Sequence, residues 1–298
     1  MQAASRVVSN GQLNDTKSAV PMLTIYLPEL RFDSLKTNCE SFSDSEVLMS
    51  FDAKTEVEIR ECTTLEDLAA CVDLQREVFA LPEIEISPVR HFVVTRNAGG
   101  FSLGAFAGGQ LVGFVLSVPA FLRGEKAFYS HMTAVKAGYQ GEGIGARLKW
   151  SQREKALSAG VKVIKWTFEP VKARNAFFNL EKLGAIVTEY EENFYGKDYA
   201  TAGPQIGMAS DRLFAEWHLE SATVSGLAEG GSIPEAAEPD ARISIPAHWS
   251  EIVRADASKA LNEQLRIRGE FQAAFGRGLV ARGFARDKAE PQYLLYKK

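Results

Sequence analysis

The sequence predicts a mixed α/β protein. Three observations carry this. Apolar residues alternate at period two in some stretches and recur at helical spacing in others. A Gly108-Gly109 pair sits between two apolar runs, the signal of a two-residue hairpin. A glycine-rich turn, Gln140-Gly141-Glu142-Gly143-Ile144-Gly145-Ala146, joins an apolar strand-like run to an amphipathic helix. The resulting order is β-α-α-β-β-β-α-β-α-β-β, followed by a β-α-β-β appendage.

Taken in order, Met1 to about Ala53 shows no sustained period and is rich in Ser, Asn, Asp and Thr. It is expected to be a poorly ordered tail (residues 1–53), and Met49 is an alternative translation start. Residues 54–219 form the main domain. Glu56 to Glu61 alternates and reads as a strand. Thr63-x-x-Glu66 is a capping box for a helix to about Phe79. Ser87-Pro88 opens a second helix that ends near Gly99-Gly100. Phe101–Ala107 and Gln110–Val118 are the hairpin, and Ala127–Val135 is the next strand. The glycine turn then feeds a helix over Ile144–Ser158. Val161–Glu169 is a strand, Ala173–Leu183 a helix stopped by Gly184, and Ile186–Tyr195 and Asp211–Leu219 are strands. From 220 to 240 the chain is Ser-, Gly-, Ala- and Pro-rich with five acids and no bases, so it reads as a linker or exposed loop. Residues 241–298 supply a strand (Arg242–Ile245), a helix from Ser250 and two closing strands, with Val253, Ala257, Leu261, Leu265 and Phe275 at helical spacing.

Composition excludes several classes. The chain has 298 residues and a net charge of −4, so no basic face points to nucleic acid or an anionic membrane. Cys39, Cys62 and Cys71 are odd in number and lack metal-ligand spacing. They read as reduced thiols in a cytoplasmic protein. The four histidines are scattered, so no metal is expected. No run approaches a membrane span, and Ala19–Leu30 lacks the flanks of a signal peptide.

A glycine turn at a helix start exposes backbone N–H groups at the positive end of the helix dipole, a site for phosphate or pyrophosphate. Two motifs fit here: Gly141-x-Gly143-x-x-Ala146 as a dinucleotide fingerprint, or Gln140-x-x-Gly143-x-Gly145 as an acyl-CoA pyrophosphate loop. The fingerprint needs a tight turn directly after its strand and an acid about 20 positions on. Lys136-Ala137-Gly138-Tyr139 intervenes here, and the next strand carries Lys162 and Lys165 before its first acid, Glu169. No G-K-[ST] follows, so a nucleotide-triphosphate loop is absent. A helix-starting turn with no ligand stays open.

This order, with Gln140-x-x-Gly143-x-Gly145 opening the central helix and Glu181-Lys182-Leu183-Gly184 downstream, resembles the GNAT superfamily of N-acetyltransferases over roughly residues 55–219. Asp211-Arg212-Leu213 with Trp217 is similar to a little-characterised acetyltransferase branch. The resemblance implies a central mixed, mostly antiparallel sheet flanked by helices. It also implies acetyl-CoA or another acyl-CoA as co-substrate and a small-molecule or peptide amine as acceptor. Backbone N–H groups of Gly141, Glu142, Gly143, Ile144, Gly145 and Ala146, with Gln140, would take the pyrophosphate. The pantetheine arm would lie along the strand from Ser130 to Val135, and an N–H among Met132, Thr133 and Ala134 would face the thioester carbonyl. Arg174-Asn175 would reach the coenzyme.

The amine must lose a proton, since an alkylammonium has a pKa of about 10.4. The family's helix tyrosine, its usual acid, falls at Leu180, and its strand glutamate falls at Tyr129. His131, two residues on, is expected to face the same side as Tyr129, and its imidazole suits a base. Glu169 is a third candidate. Each of the three also fits a structural role, as sheet-face residues or a solvated strand end. Tyr190 or Tyr195 would replace the missing acid or simply pack. Asp211-Arg212 is a surface ion pair or a carboxylate binder, and Trp150 and Trp166 belong to the core. A non-catalytic acyl-CoA-binding module, which Leu180 favours, is the alternative to an N-acyltransferase. Acceptor, acyl length and oligomeric state are not encoded legibly.

Overall fold

The alternating run after Glu56 becomes β1 (Val57–Glu61), the edge of a ten-stranded sheet in the order β1-β2-β3-β4-β5-β7-β6-β9-β10-β8. This computed structural model describes residues 56–79, 81–197, 207–233 and 238–298. The expected N-terminal tail, with Cys39 and Met49, lies outside them. Strands β2 (Phe101–Ala107), β3 (Gln110–Leu122) and β4 (Glu125–Val135) form a meander. Its turns, Gly108-Gly109 and Arg123-Gly124, hold all four residues at positive φ, which suits the twist of two-residue hairpins. β5 (Val163–Phe168) runs parallel to β4. β7 (Arg212–His218) inserts between β5 and β6 (Ile186–Glu191), antiparallel to both. The remaining ladders are antiparallel too, as the sequence predicts.

Helices α1 (Leu65–Phe79) and α2 (Val89–Asn97) share one core cluster with Phe106, Phe114 and Leu116 of the meander. α3 (Ile144–Ser158) and α4 (Ala173–Phe177) pack into a larger cluster with Phe128, Ile164, Leu213 and Trp217. The two clusters take residues from opposite faces of the meander strands. Cys62 and Cys71 are buried, unbonded thiols in the first cluster.

Several predicted boundaries shift for local reasons. The capping box is Thr64-x-x-Asp67, one residue later than predicted. Thr64 Oγ1 accepts from the Asp67 N–H at 3.1 Å, and Asp67 Oδ2 accepts from the Thr63 and Thr64 N–H groups at 3.3 and 3.5 Å. Arg60 fixes the choice, donating to both Asp67 oxygens at 2.8 Å and holding that carboxyl down near pH 2. The helix predicted over 173–183 is α4 followed by a single π turn, Phe178–Lys182. It stops at Gly184, where φ is +68° and an added Cβ would lie 3.0 Å from Leu227.

Leu227 belongs to α5 (Ala222–Ala228), which lies inside the predicted linker. Ser221 caps α5, accepting from the Val224 N–H at 3.3 Å, and Val224 is fully buried. Two turns with so few large apolar residues are too short to register as a period. The appendage also differs from β-α-β-β. Its helix is split at Asp256 into α6 (Trp249–Ala255) and α7 (Ala257–Gly276), and Asp256 caps α7 by accepting from the Lys259 N–H at 2.9 Å. The predicted apolar row is also rotated. Leu261 and Leu265 are exposed, and Ala260, Gln264, Ile267, Phe271 and Ala274 face inward.

The appendage strands β8 (Ala241–Ser244), β9 (Leu279–Ala285) and β10 (Gln292–Lys297) extend the sheet, joined where Val187 of β6 pairs with Ala281 of β9. Asp211 adds a polar tie: it accepts two 3.0 Å bonds from the Arg268 guanidinium of α7 and a 2.6 Å bond from the Tyr190 hydroxyl. Among the described residues, no helix is long and apolar enough to cross a membrane.

Candidate functional site

The central feature is a split in the sheet. β4 and β5 pair only at Phe128–Ile164 and Tyr129–Lys165. From Ser130 to Val135, β4 has no β5 residue opposite it, so its edge is open on that side. Beyond Val135 the chain makes a 3₁₀ turn (Ala137–Tyr139) and enters the glycine turn. Gly141 and Gly143 sit at φ +93° and +76°, and Gly143 is the N-cap of α3. A Cβ at either would meet no protein atom within 4 Å, so backbone conformation, not crowding, demands glycine there. The first intrahelical bond runs from the Arg147 N–H to the Gly143 carbonyl at 3.0 Å. The N–H groups of Ile144, Gly145 and Ala146 therefore precede the helical ladder and point out of its N-terminus. Gln140 anchors the turn, donating to the Val135 carbonyl at 3.0 Å and accepting from Arg174 at 3.3 Å. That bond brings the start of α4, including exposed Asn175, beside the turn. Gln140 through Gly143 are exposed, Ile144 is buried, and Gly145 and Ala146 are half-buried.

Along the open edge, Met132 and Ala134 pack toward α1 and α2, and Val135 packs into the larger cluster. Thr133 is half-buried between them in sequence. A β-bulge interrupts β4: Leu116 pairs with Met132 and Ser117 with Ser130, leaving His131 as the extra residue. Simple alternation, which would put His131 in register with Tyr129, therefore does not hold across this point. The His131 ring lies 5.7 Å from that of His91 on α2. Burial, and then repulsion from His91, lower the His131 pKa below its ordinary value, while the side chain keeps an exposed edge.

Tyr129 goes elsewhere. Its hydroxyl donates to Thr167 Oγ1 of β5 at 3.5 Å, and Thr167 Oγ1 lies 3.3 Å from the Tyr195 hydroxyl. Burial raises the Tyr129 pKa well above that of a phenol in water, so it is a neutral hydroxyl at physiological pH. The Arg212 guanidinium stacks 5.0 Å over the Tyr195 ring and lies 3.8 Å from Glu169, which is also 3.8 Å from Lys172. Tyr129, Thr167, Tyr195, Arg212 and Glu169 thus form a continuous polar row along the β5 side of the split. Thr167 was missed in the sequence, although it lies two residues before Glu169 and shares its face of the strand.

Three other positions are settled by packing. Leu180 is fully buried and has no proton to give. The Tyr190 hydroxyl donates to Asp211 at 2.6 Å, and burial followed by that bond raises its pKa, so this hydroxyl is engaged within the fold. Asp211 is buried in that same network, not on the surface as the ion-pair reading had it. Lys149 of α3 had no sequence signal. Its ammonium nitrogen is buried 4.0 Å from the Trp166 ring centroid and 3.1 Å from Ser130 Oγ, and burial lowers its pKa to about 7.

The family model described as Acetyltransferase (GNAT) family matches residues 65–185, which span α1 through the turn after α4. No curated protein matches the chain. Among solved structures, it is similar to the ribosomal-protein-S18-alanine N-acetyltransferase of Escherichia coli, with 16% identity, 61% of this chain and 97% of that one covered, and a TM-score of 0.43. It is similar to a GNAT family acetyltransferase of Elizabethkingia anophelis with acetyl-CoA bound, with 17% identity, coverage of 56% and 100%, and a TM-score of 0.43. It is also similar to an N-acetyltransferase of Staphylococcus aureus Mu50, with 16% identity, coverage of 55% and 99%, and a TM-score of 0.46. Over residues 65–185 the chain carries an acetyltransferase domain of the GNAT family.

Proposed function

We propose that the protein is an acyl-CoA-dependent N-acyltransferase that moves an acetyl or other short acyl group to a primary amine by direct attack. The observation that carries this reading is the junction of two features: an open β4 edge from Ser130 to Val135, ending in a glycine turn whose N–H groups face outward. A diphosphate at the turn is held by Gly141 to Ala146, and the extended pantetheine pairs along the edge as an added strand. The thioester carbonyl then meets an N–H among Met132, Thr133 and Ala134, which stabilises the oxyanion as charge develops. Asn175 and Arg174 flank the turn on its α4 side.

The ammonium gives one proton to a base and its nitrogen bonds to the acyl carbon. The C–S bond breaks, and the second nitrogen proton ends on the departing thiolate, directly or through a hydroxyl. His131 on the β4 side and Glu169 on the β5 side are the two proton acceptors that flank the split. Tyr129, kept neutral by burial, is the donor we assign to the thiolate side, with Thr167 and Tyr195 completing the row. It takes the place of the family tyrosine lost at Leu180.

The test is thiol release from acetyl-CoA over a panel of amines. We expect turnover with at least one amine class, and a loss of 10²–10⁴-fold in Glu169→Gln or His131→Ala, whichever is the base. If His131 is that base, its lowered pKa puts the acid limb of the rate below pH 6.5, and His131→Ala removes that limb. Coenzyme binding without turnover over the whole panel favours the non-catalytic binding module instead.

A further inference from the structure

A buried polar network crosses from α3 to the β4 bulge. Lys149 and Gln152 are buried on α3 together with the apolar Leu148 and Ala156. The Gln152 amide donates to Ser117 Oγ of β3 at 2.7 Å and to Ser130 Oγ of β4 at 3.1 Å. Its carbonyl oxygen accepts from the Ser130 hydroxyl at 3.4 Å, and Lys149 donates to the same Ser130 oxygen at 3.1 Å. A serine hydroxyl has one donor and two acceptor sites, so Gln152 and Lys149 together fill the valence of Ser130. Both serines are buried as well. They are also the pair that borders the bulge: Ser117 pairs with Ser130, and the next pair, Leu116–Met132, passes over His131. Ser130 is moreover the first β4 residue beyond the last pair with β5. Moving the bulge by one residue would carry Ser130 off the Gln152 amide and leave buried polar groups without partners, which folded chains avoid. Buried polar groups that meet only in one register specify that register.

We infer that Lys149 and Gln152 are positioning residues for acyl transfer: through Ser117 and Ser130 they lock the β4 bulge, which turns His131 toward His91 and fixes the open edge against α3. The same helix begins at the glycine turn, with Lys149 and Gln152 about 9 and 14 Å further along its axis. One rigid element therefore holds the diphosphate site at its N-terminus and the strand edge at its middle. A coenzyme that spans both meets them at a set spacing. Lys149 lies against Trp166 and Trp217, where a methionine would fill the space without burying an amine, so its polar end is kept for the bond to Ser130. This inference rests on the acyl-transfer reading for its purpose, but the lock is a property of the free protein.

The experiment compares the wild type with Gln152→Leu and Ser130→Ala. Proton NMR follows the His131 imidazole against pH in the free protein, its signal assigned by its loss in His131→Ala. Calorimetry gives the acetyl-CoA affinity, and a thermal melt the stability. In the wild type His131 is expected to titrate below the ordinary imidazole value, because it is buried and the group facing it is His91 of α2. In each variant the released bulge should return it to about 6.5, and acetyl-CoA should bind about tenfold more weakly, the loss of one or two hydrogen bonds. Loss of stability alone moves neither readout in a protein that is still folded. Ser130→Ala removes a single oxygen, so it carries the test if Gln152→Leu does not fold. Variants that melt earlier but keep either the His131 titration or the acetyl-CoA affinity of the wild type overturn the inference and leave the acyl-transfer reading standing. A wild type with no affinity for acetyl-CoA removes the transfer reading, and the His131 titration then still decides the lock.

Discussion

At the residue scale, the most consequential side chain outside the polar row is Lys149. It is 3% exposed, lies against Trp166 and Trp217, and donates to Ser130 Oγ. Ser130 and Ser117 are in turn bound to Gln152, so the amine sits in a hydrogen-bonded pocket, with no ion-pair partner among the described residues to offset its burial. Burial lowers its pKa from 10.5 to about 7. Between those values the unfolded chain binds a proton that the folded protein does not, so folding stability rises with pH through this window and is level below it. The slope is at most about 1.4 kcal/mol per pH unit. Lys149→Met removes the titrating group at similar size. Urea melts at pH 7 and pH 9 should show the wild type gaining about 2 kcal/mol over the variant on going to the higher pH. Parallel curves at both pH values would mean that Lys149 is charged throughout. No sequence feature marks this residue, since a lysine on an amphipathic helix reads as solvated until the helix is docked.

At the element scale, what was legible followed periodicity, and what was not depended on long-range contacts. The helix over Ile144–Ser158 and the strand at Phe101–Ala107 have the bounds predicted for them, because glycines and strand-like runs delimit them. The turn before α3 was also legible, since glycines at φ > 0 leave a direct mark in sequence. The β4 bulge was not. It inserts His131 without changing composition, and a one-residue insertion resets which face each later residue takes. The break at Asp256 was hidden for a similar reason: an aspartate can cap a new helix or ride on the surface of a continuous one, and only the docking of α7 decides. At the site, residues on one strand at even spacing could be grouped from sequence. The convergence of Tyr195 on Thr167 and of Arg212 on Glu169 could not, because it needs β7 to lie between β5 and β6.

At the scale of the whole molecule, one sheet runs from the acetyltransferase segment into the C-terminal appendage. β6 and β9 share only the Val187–Ala281 pair, so other contacts must hold the seam. The Tyr293 hydroxyl donates to the Pro170 carbonyl at 2.7 Å, and Glu181 accepts from the Phe284 N–H. Asp211 is the centre of the seam, bound by Arg268, Tyr190 and the Asn193 N–H. Asp211→Ala leaves the Arg268 guanidinium with one fewer acid in a largely buried setting. We expect a loss of about 3 kcal/mol in chemical denaturation, with earlier proteolysis of the appendage than of the segment before it. Unchanged stability would make the seam an apolar contact in which the ion pair is incidental.

All of these features serve one central claim, that the turn from Gly141 to Gly145 grips the diphosphate of an acyl-CoA. Calorimetric titration of acetyl-CoA into the wild type and Gly143→Asp, with NAD(P) as control, tests it most directly. The wild type should bind acetyl-CoA and gain about 2.7 kcal/mol of stability at 100 times the Kd. Gly143→Asp should not bind it, because it places a carboxylate where the phosphates approach and strains a backbone at φ +76°. Equal affinity in the two proteins, or stabilisation by NAD(P) and none by acetyl-CoA, would contradict the claim.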